Sequence, residues 1–375
     1  MHATDTALIL GAGLLGRLLG VSLVRLGWRV HLVEQASGPH TAGGAARVAA
    51  AMLAPLAESA VTEPSVVAMG RDALPRWRQL CADLPRPVFF QQNGTLILWH
   101  RQDAREASRL AALLQATARQ VPGLPSPQAL DEAQLSAHEP ALAGRFAQGL
   151  YLPQEGQLDG RQLLDALLEE LHQRAVPLHW NQPTTLAEAL AWQRDHPGAW
   201  VLDCRGLGAQ ADWPPGALRG VRGEVVRLHA PDVTLQRPTR LLHPRYPIYI
   251  APKENHHFVI GATEIEADDR SPASVRSTLE LLSAAYAVHP GFAEARILEL
   301  NTECRPTLPD NLPAVRQVAP RVLQINGLYR HGYMIAPAVH DAVLEYLQHG
   351  THTLAQRWGL RWERAGVEAP ETLHL

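Results

Sequence analysis

Residues 6–34, TALILGAGLLGRLLGVSLVRLGWRVHLVE, constrain the fold of this chain more than any other segment. They predict a short buried strand, a glycine turn, a helix and a second strand that ends in an acid. In the GxGxxG turn, Gly11 permits the tight bend, Gly13 lets a pyrophosphate approach the backbone, and Gly16 lets the helix pack on the strand. The helix N-terminus would face the phosphates with its partial positive charge. The segment therefore predicts a Rossmann-type unit that binds a dinucleotide.

Glu34 ends the second predicted strand and indicates which nucleotide the unit accepts. A carboxylate at this point can accept hydrogen bonds from both ribose hydroxyls of an adenosine, and it disfavours a 2′-phosphate. NAD and FAD are not separated by this unit, since both place an ADP moiety on the same scaffold.

Composition limits the other function classes. With 375 residues, the chain predicts two domains, or one large domain with a covering layer. A formal net charge of −3 gives no general attraction for nucleic acid or anionic membranes, so no nucleic-acid partner is expected. The 18 histidines are scattered without a helical pair framed by a glutamate, and no metal site is predicted.

Cysteine usage and the N-terminus indicate a cytoplasmic protein. The 3 cysteines form no CxxC pair, so neither a disulfide framework nor a thiolate zinc site is expected, and a reducing cytosol fits. The apolar run over 7–33 is broken by glycines and charged residues, which predicts neither a signal peptide nor a membrane span.

Several later segments carry further predictions. Residues 47–55, RVAAAMLAP, have small side chains that would let backbone reach a bulky flat ligand, although a buried helix is an alternative. Residues 184–193 predict a capped helix between two strands. Residues 220–265 predict an antiparallel sheet with Tyr246 and Tyr249 on or near its second strand. Such a sheet over a Rossmann unit would form a cleft for a small molecule.

Two arginines near the C-terminal end are candidate site residues. Arg305 lies between Cys304 and Pro306 with no further charge until Asp310, which predicts a guanidinium entering a partly buried cleft. Its planar fork suits a carboxylate, and an ion pair with an internal acid is the alternative. Arg330 precedes a glycine turn and a helix that we expect to start after Pro337 and end near residue 348, with its positive end inward. Arg330 would aid carboxylate binding, cover the site or lie at the surface.

These segments together resemble the D-amino-acid oxidase superfamily of FAD enzymes, and more closely the glycine oxidases of thiamine biosynthesis. The resemblance rests on GAGLLG with Glu34, on AAAMLAP over 49–55, where Ala51 replaces the usual glycine, and on QNGTL over 92–96. It rests further on CRPTLPD over 304–310 and on GLYRHGYMIAPA over 327–338, where His331 stands in place of the usual asparagine.

The resemblance implies an α/β fold with a Rossmann-type FAD-binding domain and a second, α+β substrate domain built on an antiparallel sheet. We expect the FAD domain to comprise 1–80, 140–215 and 300–350, and the substrate domain 81–139 and 216–299. Residues 351–375 would be a peripheral C-terminal extension.

The resemblance also implies the site residues. The Tyr249 hydroxyl would contact the substrate carboxylate beside Arg305, with Arg330 as a third catalytic candidate, although Tyr249 could simply pack across strands. Some sarcosine-type relatives link flavin covalently to a cysteine near Cys304; we expect non-covalent FAD and a buried, inert thiol. The residues expected to bind FAD are Gly11, Gly13, Leu14, Leu15, Gly16, Glu34, Gln35, Ala50, Ala51, Met52, Leu53, Gly206, Arg330, His331, Gly332, Tyr333 and Met334.

The activity implied is oxidative deamination of glycine or another small D-amino acid by hydride transfer to flavin, serving thiamine biosynthesis. The products would be an imino or keto acid, ammonia and hydrogen peroxide. Three alternatives stay open: a D-amino-acid dehydrogenase that reduces a quinone instead of oxygen, the flavin domain of a tRNA-uridine-modifying enzyme, and a non-catalytic FAD-binding redox module. The oligomeric state, including a homo-oligomer, is left open.

Overall fold

The computed structural model describes residues 5–41, 44–243 and 247–364, so Tyr246 lies outside the described residues. The strands are β1 (Thr6–Leu10), β2 (Arg29–Val33), β3 (Met52–Leu53), β4 (Phe90–Gln91), β5 (Thr95–Trp99), β6 (Gln128–Asp131), β7 (Gln148–Leu152), β8 (Gly156–Leu158), β9 (Leu178–His179), β10 (Trp200–Asp203), β11 (Arg219–His229), β12 (Thr239–Leu242), β13 (Ile248–Pro252), β14 (His257–Gly261), β15 (Arg296–Thr307), β16 (Ala314–Ala319), β17 (Val322–Asn326) and β18 (Arg361–Arg364).

Helices cover both of the large sheets that these strands form. They are α1 (Leu14–Arg25), α2 (Gly44–Val48), α3 (Pro55–Glu58), α4 (Pro64–Asp83), α5 (Ala104–Gln120), α6 (Glu132–His138), α7 (Gly160–Gln173), α8 (Leu186–Asp195), α9 (Val275–Val288), α10 (Gly332–His349) and α11 (Thr353–Trp358). No helix in the described part of the chain is long and apolar enough to cross a membrane.

The first sheet is the predicted Rossmann layer. Its seven strands run in the order β18-β16-β17-β10-β1-β2-β9, and β1 is parallel to both β2 and β10. The apolar side chains of β1 are buried, which is typical of a central parallel strand with helices on both faces. Helices α1, α7 and α10 contribute to the hydrophobic core on one face. The prediction of a strand, helix and strand over 6–34 is confirmed.

The second sheet contains the strands predicted over 220–265. Its eight described strands run in the order β15-β11-β14-β13-β12-β5-β7-β6, and within this sheet all neighbouring strands are antiparallel except β12 and β5. Alternate residues of β11 and β14 bury their side chains in a second core, among them Val226, Leu228 and Ile260. A Rossmann domain joined to an antiparallel sheet is the predicted fold class, and it is confirmed.

Met52 and Leu53, from the segment 47–55, form β3 in a small sheet with β8 and β4. Helix α2 ends at Val48 and the chain is non-helical until β3, so the helical alternative for 47–55 is wrong. The capped helix predicted over 184–193 is confirmed as α8, where the Thr185 hydroxyl accepts from the Glu188 N–H and the Glu188 carboxylate accepts in return.

Helix α10 starts at Gly332, six residues before the predicted start after Pro337, and Pro337 lies inside it. Proline has no N–H, so it leaves the carbonyl four residues earlier without its helical donor. The indole Nε1 of Trp77 donates to this oxygen, on Tyr333, at 2.7 Å. A contact from α4 therefore allows the helix to begin before the proline.

The C-terminal segment is not peripheral over the residues that the structure describes. Strand β18 pairs in parallel with β16 at the edge of the first sheet, and Trp358 and Leu360 are buried.

Two strands belong to a different sheet from the one that the predicted domain ranges imply. Strand β7 and the end of β15 belong to the second sheet, although 140–215 and 300–350 were assigned to the FAD domain. The domain boundaries themselves stay a prediction.

Candidate active site

A cavity of about 1500 Å³ lies between the two large sheets and brings together most of the predicted site residues. Tyr249, Arg305 and Arg330 line it, as do all predicted cofactor residues except Gly16 and Leu53. Gly16 lies beneath the glycine turn, and Leu53 is 1% exposed in the hydrophobic core. These two positions therefore support the wall through packing.

The glycine turn at one end of the cavity has the geometry that a bound pyrophosphate requires. Gly11 has φ +95°, and a Cβ there would lie 2.8 Å from the Cys204 carbonyl oxygen. A Cβ at Gly16 would lie 1.9 Å from the Gly11 carbonyl oxygen, so only glycine lets the helix approach the turn. A Cβ at Gly13 would meet no atom of the described residues within 4 Å apart from its chain neighbours, because this residue faces the open cavity.

Glu34 lies at the same end with its carboxylate fixed by backbone donors. The Ala12 N–H donates to Oε2 at 2.6 Å, and the Ala36 N–H donates to Oε1 at 2.9 Å. A carboxylate has about four acceptor positions, so two such bonds leave capacity for further donors. The arrangement presents an oriented acceptor beside the glycine turn, as ribose binding needs.

Residues 49–52 form one wall of the cavity with an unusual backbone. Ala51 has φ +54°, the left-handed region that favours glycine, and it is 2% exposed. Its carbonyl oxygen accepts from the Leu158 N–H at 3.1 Å, which ties the wall to β8. The position where the resembled family usually has glycine thus keeps a glycine-like conformation with alanine.

Lys253 is the only lysine in the sequence, and its ammonium is buried behind this wall. Nζ donates to three oxygens: the Ala50 carbonyl at 2.8 Å, Gln157 Oε1 at 2.9 Å and the Leu158 carbonyl at 2.8 Å. Burial lowers the pKa of Lys253 to about 7. Lys253 therefore connects the end of β13 to both the cavity wall and β8.

We expect the Lys253 side chain to titrate near pH 7 instead of near its usual 10.5. In protein labelled with [13C]lysine, the single lysine gives one Cε signal, whose shift against pH reports the pKa directly; a Lys253→Met variant confirms the assignment. A folded-state pKa below the unfolded value means that the unfolded chain binds the proton more tightly between about pH 7 and 10.5, so stability relative to Lys253→Met rises with pH across this window. A signal that stays in the charged form up to pH 10 would contradict this.

Arg305 extends from β15 into the cavity without a carboxylate partner among the described residues. Its Nη1 donates to the Arg222 carbonyl oxygen at 3.2 Å and its Nη2 to the Thr263 carbonyl oxygen at 3.1 Å. Burial lowers the pKa of Arg305. A Cβ at Gly223 would lie 2.4 Å from Nη2, so glycine on the neighbouring strand provides the space for the guanidinium. The alternative of an internal ion pair is therefore not observed.

Tyr249, on β13, lies beside Arg305 and is partly buried. Its ring faces Gly261 on β14, where a Cβ would lie 2.5 Å from the phenol oxygen. Burial raises the pKa of Tyr249, so the phenol keeps its proton at neutral pH and can donate a hydrogen bond. A glycine thus stands under each of the two groups that were predicted to hold a carboxylate.

Arg330, in contrast, is already neutralised by two carboxylates. Its Nε lies 3.0 Å from Glu58 Oε2, and its Nη1 donates to Glu264 Oε2 at 2.5 Å. These carboxylates raise the pKa of Arg330. The side chain is 26% exposed, so the surface role left open for it is not observed. Its contacts fit a residue that closes the site better than one that binds the substrate carboxylate.

Glu58, on α3, organises the neighbouring cations. Its Oε1 accepts from Arg240 Nη2 at 2.5 Å, and His331 Nδ1 lies 3.4 Å from Oε2. Burial alone would raise the pKa of Glu58, but the charges of Arg330 and Arg240 outweigh it and hold that pKa well below its usual range. Burial lowers the pKa of His331 to about 4, so this imidazole is neutral at pH 7.

The sequence analysis missed Glu58, Arg240, Glu264 and Gly223. Local signals existed for two of them: Glu58 is the first acid after the apolar stretch 48–57, and Gly223 is a glycine inside a predicted strand, which often marks a close approach. Arg240 is placed by its register opposite Tyr249, which only strand pairing shows.

Cys304 has the surroundings of an inert thiol. It is 2% exposed, and its Sγ lies 3.4 Å from the Asp269 carbonyl oxygen and 3.7 Å from that of Ala267. Burial raises its pKa, which disfavours the thiolate needed for covalent attachment. Among the residues that the structure describes, no group of three or more His, Cys, Asp or Glu side chains could hold a metal ion.

Comparison with known proteins gives one family and several related chains. The model of a family described as FAD dependent oxidoreductase, DAO, matches residues 6–344. A protein of Rhizobium etli named as a thiamine biosynthesis oxidoreductase, ThiO, is 43% identical over 341 residues, which are 91% of this chain and 95% of that protein.

Two solved structures share the fold at low sequence identity. Glycine oxidase from Geobacillus kaustophilus superposes with a TM-score of 0.72 at 22% identity, over 92% of this chain and 95% of that one. Iminodiacetate oxidase from Chelativorans sp. BNC1 superposes with a TM-score of 0.78 at 19% identity, over 95% of this chain and 99% of that one.

Proposed function

The chain belongs to the DAO family of FAD-dependent oxidoreductases, and from that premise we propose that it oxidises the carbon–nitrogen bond of glycine or another small amino acid. It is an enzyme of this FAD-dependent class, which sets aside the non-catalytic alternative. The name of the Rhizobium relative supports a place in thiamine biosynthesis.

The residues present fit FAD. Gly13 leaves open space beside the N-terminus of α1, where a pyrophosphate would bind backbone N–H groups. Glu34 would accept from the adenosine ribose, and residues 49–53 with 330–334 would hold the flavin end. Bound FAD supplies the two-electron acceptor for the oxidation.

One observation carries the choice of an amino acid as substrate: the partly buried guanidinium of Arg305 has no carboxylate partner among the described residues and shares a cavity with the nucleotide end. A buried charge of this kind is stabilised by a ligand of opposite sign. Arg305 and the Tyr249 phenol would bind the substrate carboxylate from two directions, which fixes where the α-carbon lies.

The oxidation removes two electrons and two protons from the amine and its α-carbon, giving an imino acid that water converts to a keto acid and ammonia. We propose oxygen as the electron acceptor, with hydrogen peroxide as the product, and a quinone as the alternative.

An anaerobic titration tests this proposal. Glycine, sarcosine and D-alanine are added separately to FAD-loaded protein, and at least one should bleach the flavin absorption; glycolate, which has the carboxylate but no amine, should not. Bleaching by none of the three amines would overturn amine oxidation. Peroxide formed when air is readmitted would support oxygen as the acceptor, and re-oxidation only by a quinone would overturn it.

A further inference from the structure

The substrate end of the cavity holds more charge than a single carboxylate substrate needs. Arg240, Arg305 and Arg330 contribute three positive charges, and Glu58 and Glu264 contribute two negative charges. His331 adds none at neutral pH, because burial lowers its pKa to about 4. Over the described residues that face this end, the balance is therefore one positive charge.

The ion pairs determine which arginine keeps that charge. Glu58 pairs with Arg240 at 2.5 Å and with Arg330 at 3.0 Å. Glu264 adds a second carboxylate to Arg330 at 2.5 Å. Among the described residues, Arg305 has carbonyl partners and no carboxylate partner. Without Glu264, a single carboxylate, Glu58, would serve both Arg240 and Arg330, and a second positive charge would be left without its own carboxylate.

Both carboxylate oxygens of Glu264 accept hydrogen bonds. Oε1 accepts from the Tyr329 hydroxyl at 2.6 Å, while Oε2 binds Arg330. Tyr329 has φ +50°, a conformation that a bulky side chain rarely adopts, so its hydroxyl bond is one of the contacts that keep it there. The Glu264 side chain is 44% exposed, which places it at the accessible part of the cavity wall.

We propose that Glu264 determines substrate class: by neutralising Arg330, it restricts the site to amines with one carboxylate and excludes dicarboxylic amines such as iminodiacetate. This inference rests on the proposed function. A second substrate carboxylate would meet the Glu264 carboxylate and an arginine that is already paired. Selectivity of this kind uses a repulsive group as well as an attractive one.

Two further sets of charged residues among the described residues that line the cavity do not change the balance. Arg270 pairs with Glu303 at 3.2 Å, and Arg276 and Glu280 are four residues apart on α9. Each set contains one positive and one negative side chain, so neither offers a second anion site with a net charge.

Binding of two non-oxidisable anions, acetate and malonate, tests the inference independently of turnover. Their dissociation constants are measured from the perturbation of flavin absorption in FAD-loaded wild-type protein, Glu264→Gln and Glu264→Asp. We expect wild-type protein to bind malonate at least about tenfold more weakly than acetate. Glu264→Gln should tighten malonate about tenfold and change acetate less than about threefold, because it removes a negative charge that the second carboxylate of malonate would meet and acetate would not. Glu264→Asp keeps the charge and should resemble wild type.

Turnover of glycine and iminodiacetate then distinguishes a failure of the Glu264 inference from a failure of the proposed amine oxidation. A rise of about tenfold in the kcat/KM ratio of iminodiacetate to glycine in Glu264→Gln, and not in Glu264→Asp, supports the inference. Unchanged malonate affinity in Glu264→Gln, or equal use of both amines by wild type, overturns it while amine oxidation stands. If wild type binds acetate but no amine reduces its flavin, the proposed function fails instead.

Discussion

Replacing Arg305 with methionine lowers kcat/KM for the best small amino acid by about 100-fold or more. A charge-assisted hydrogen-bonded pair contributes about 1.5–3 kcal/mol, and each 1.4 kcal/mol is about a tenfold change. The guanidinium also orients the α-carbon, so its loss lowers the rate as well as the affinity. Stopped-flow flavin reduction under anaerobic conditions measures both quantities from the dependence on substrate concentration.

The matched control is Arg270→Met, which removes an arginine from the same cavity. Arg270 is paired with Glu303 and lies 51% exposed, so this change should leave kcat/KM within about threefold. FAD affinity should be unchanged in both variants, which shows that the nucleotide end is intact. Wild-type kcat/KM in Arg305→Met would contradict the assignment of the carboxylate site.

Replacing Gly13 with alanine weakens FAD binding by about 100-fold and leaves the stability of the apoprotein nearly unchanged. The added methyl group meets no protein atom within 4 Å, and Gly13 has φ −76°, which alanine adopts readily. The methyl would occupy the space in which a pyrophosphate approaches the backbone, and two lost charge-assisted hydrogen bonds account for about 3 kcal/mol or more. Quenching of FAD fluorescence on titration gives the dissociation constant, and thermal unfolding of apoprotein gives the stability.

Gly16→Ala provides the contrasting variant. Its Cβ would lie 1.9 Å from the Gly11 carbonyl oxygen, so the helix must move away from the turn. Here both the apoprotein melting temperature and FAD affinity should fall. If Gly13→Ala binds FAD as tightly as wild type, the turn does not hold the pyrophosphate.

The fold could be predicted where a local sequence pattern is compatible with only one kind of structure. The glycine spacing in 6–34 requires a close approach of helix and strand, and the alternation in 220–265 gives a sheet with one buried face. The start of α10 could not be predicted in this way. Pro337 indicates a helix boundary locally, but Trp77, 256 residues earlier than Tyr333, donates to the carbonyl that the proline leaves free.

The candidate site was predictable only in part for a similar reason. Arg305 is followed by no other charge until Asp310, and the resemblance indicated Tyr249; the structure brings both to one cavity. Whether an arginine is neutralised depends on acids that lie far away in sequence. Glu58 and Arg240 are 182 residues apart, and no local pattern shows that they pair.

Ala51 shows what a substitution in a motif does and does not change. The resembled family usually has glycine there, and the structure retains φ +54° with alanine. The conformation is therefore imposed by the surrounding contacts, among them the bond from Leu158 to the Ala51 carbonyl. A motif position can keep its backbone role after its residue changes.

The most direct test of the central claim, that one unpaired guanidinium selects the substrate, is a crystal structure of the FAD-bound protein with acetate. The account predicts one acetate with its oxygens about 2.7–3.0 Å from the Arg305 guanidinium and the Tyr249 hydroxyl, while Arg330 stays between Glu58 and Glu264. Acetate bound to Arg330 or Arg240, with Arg305 making no contact to it, would contradict the account.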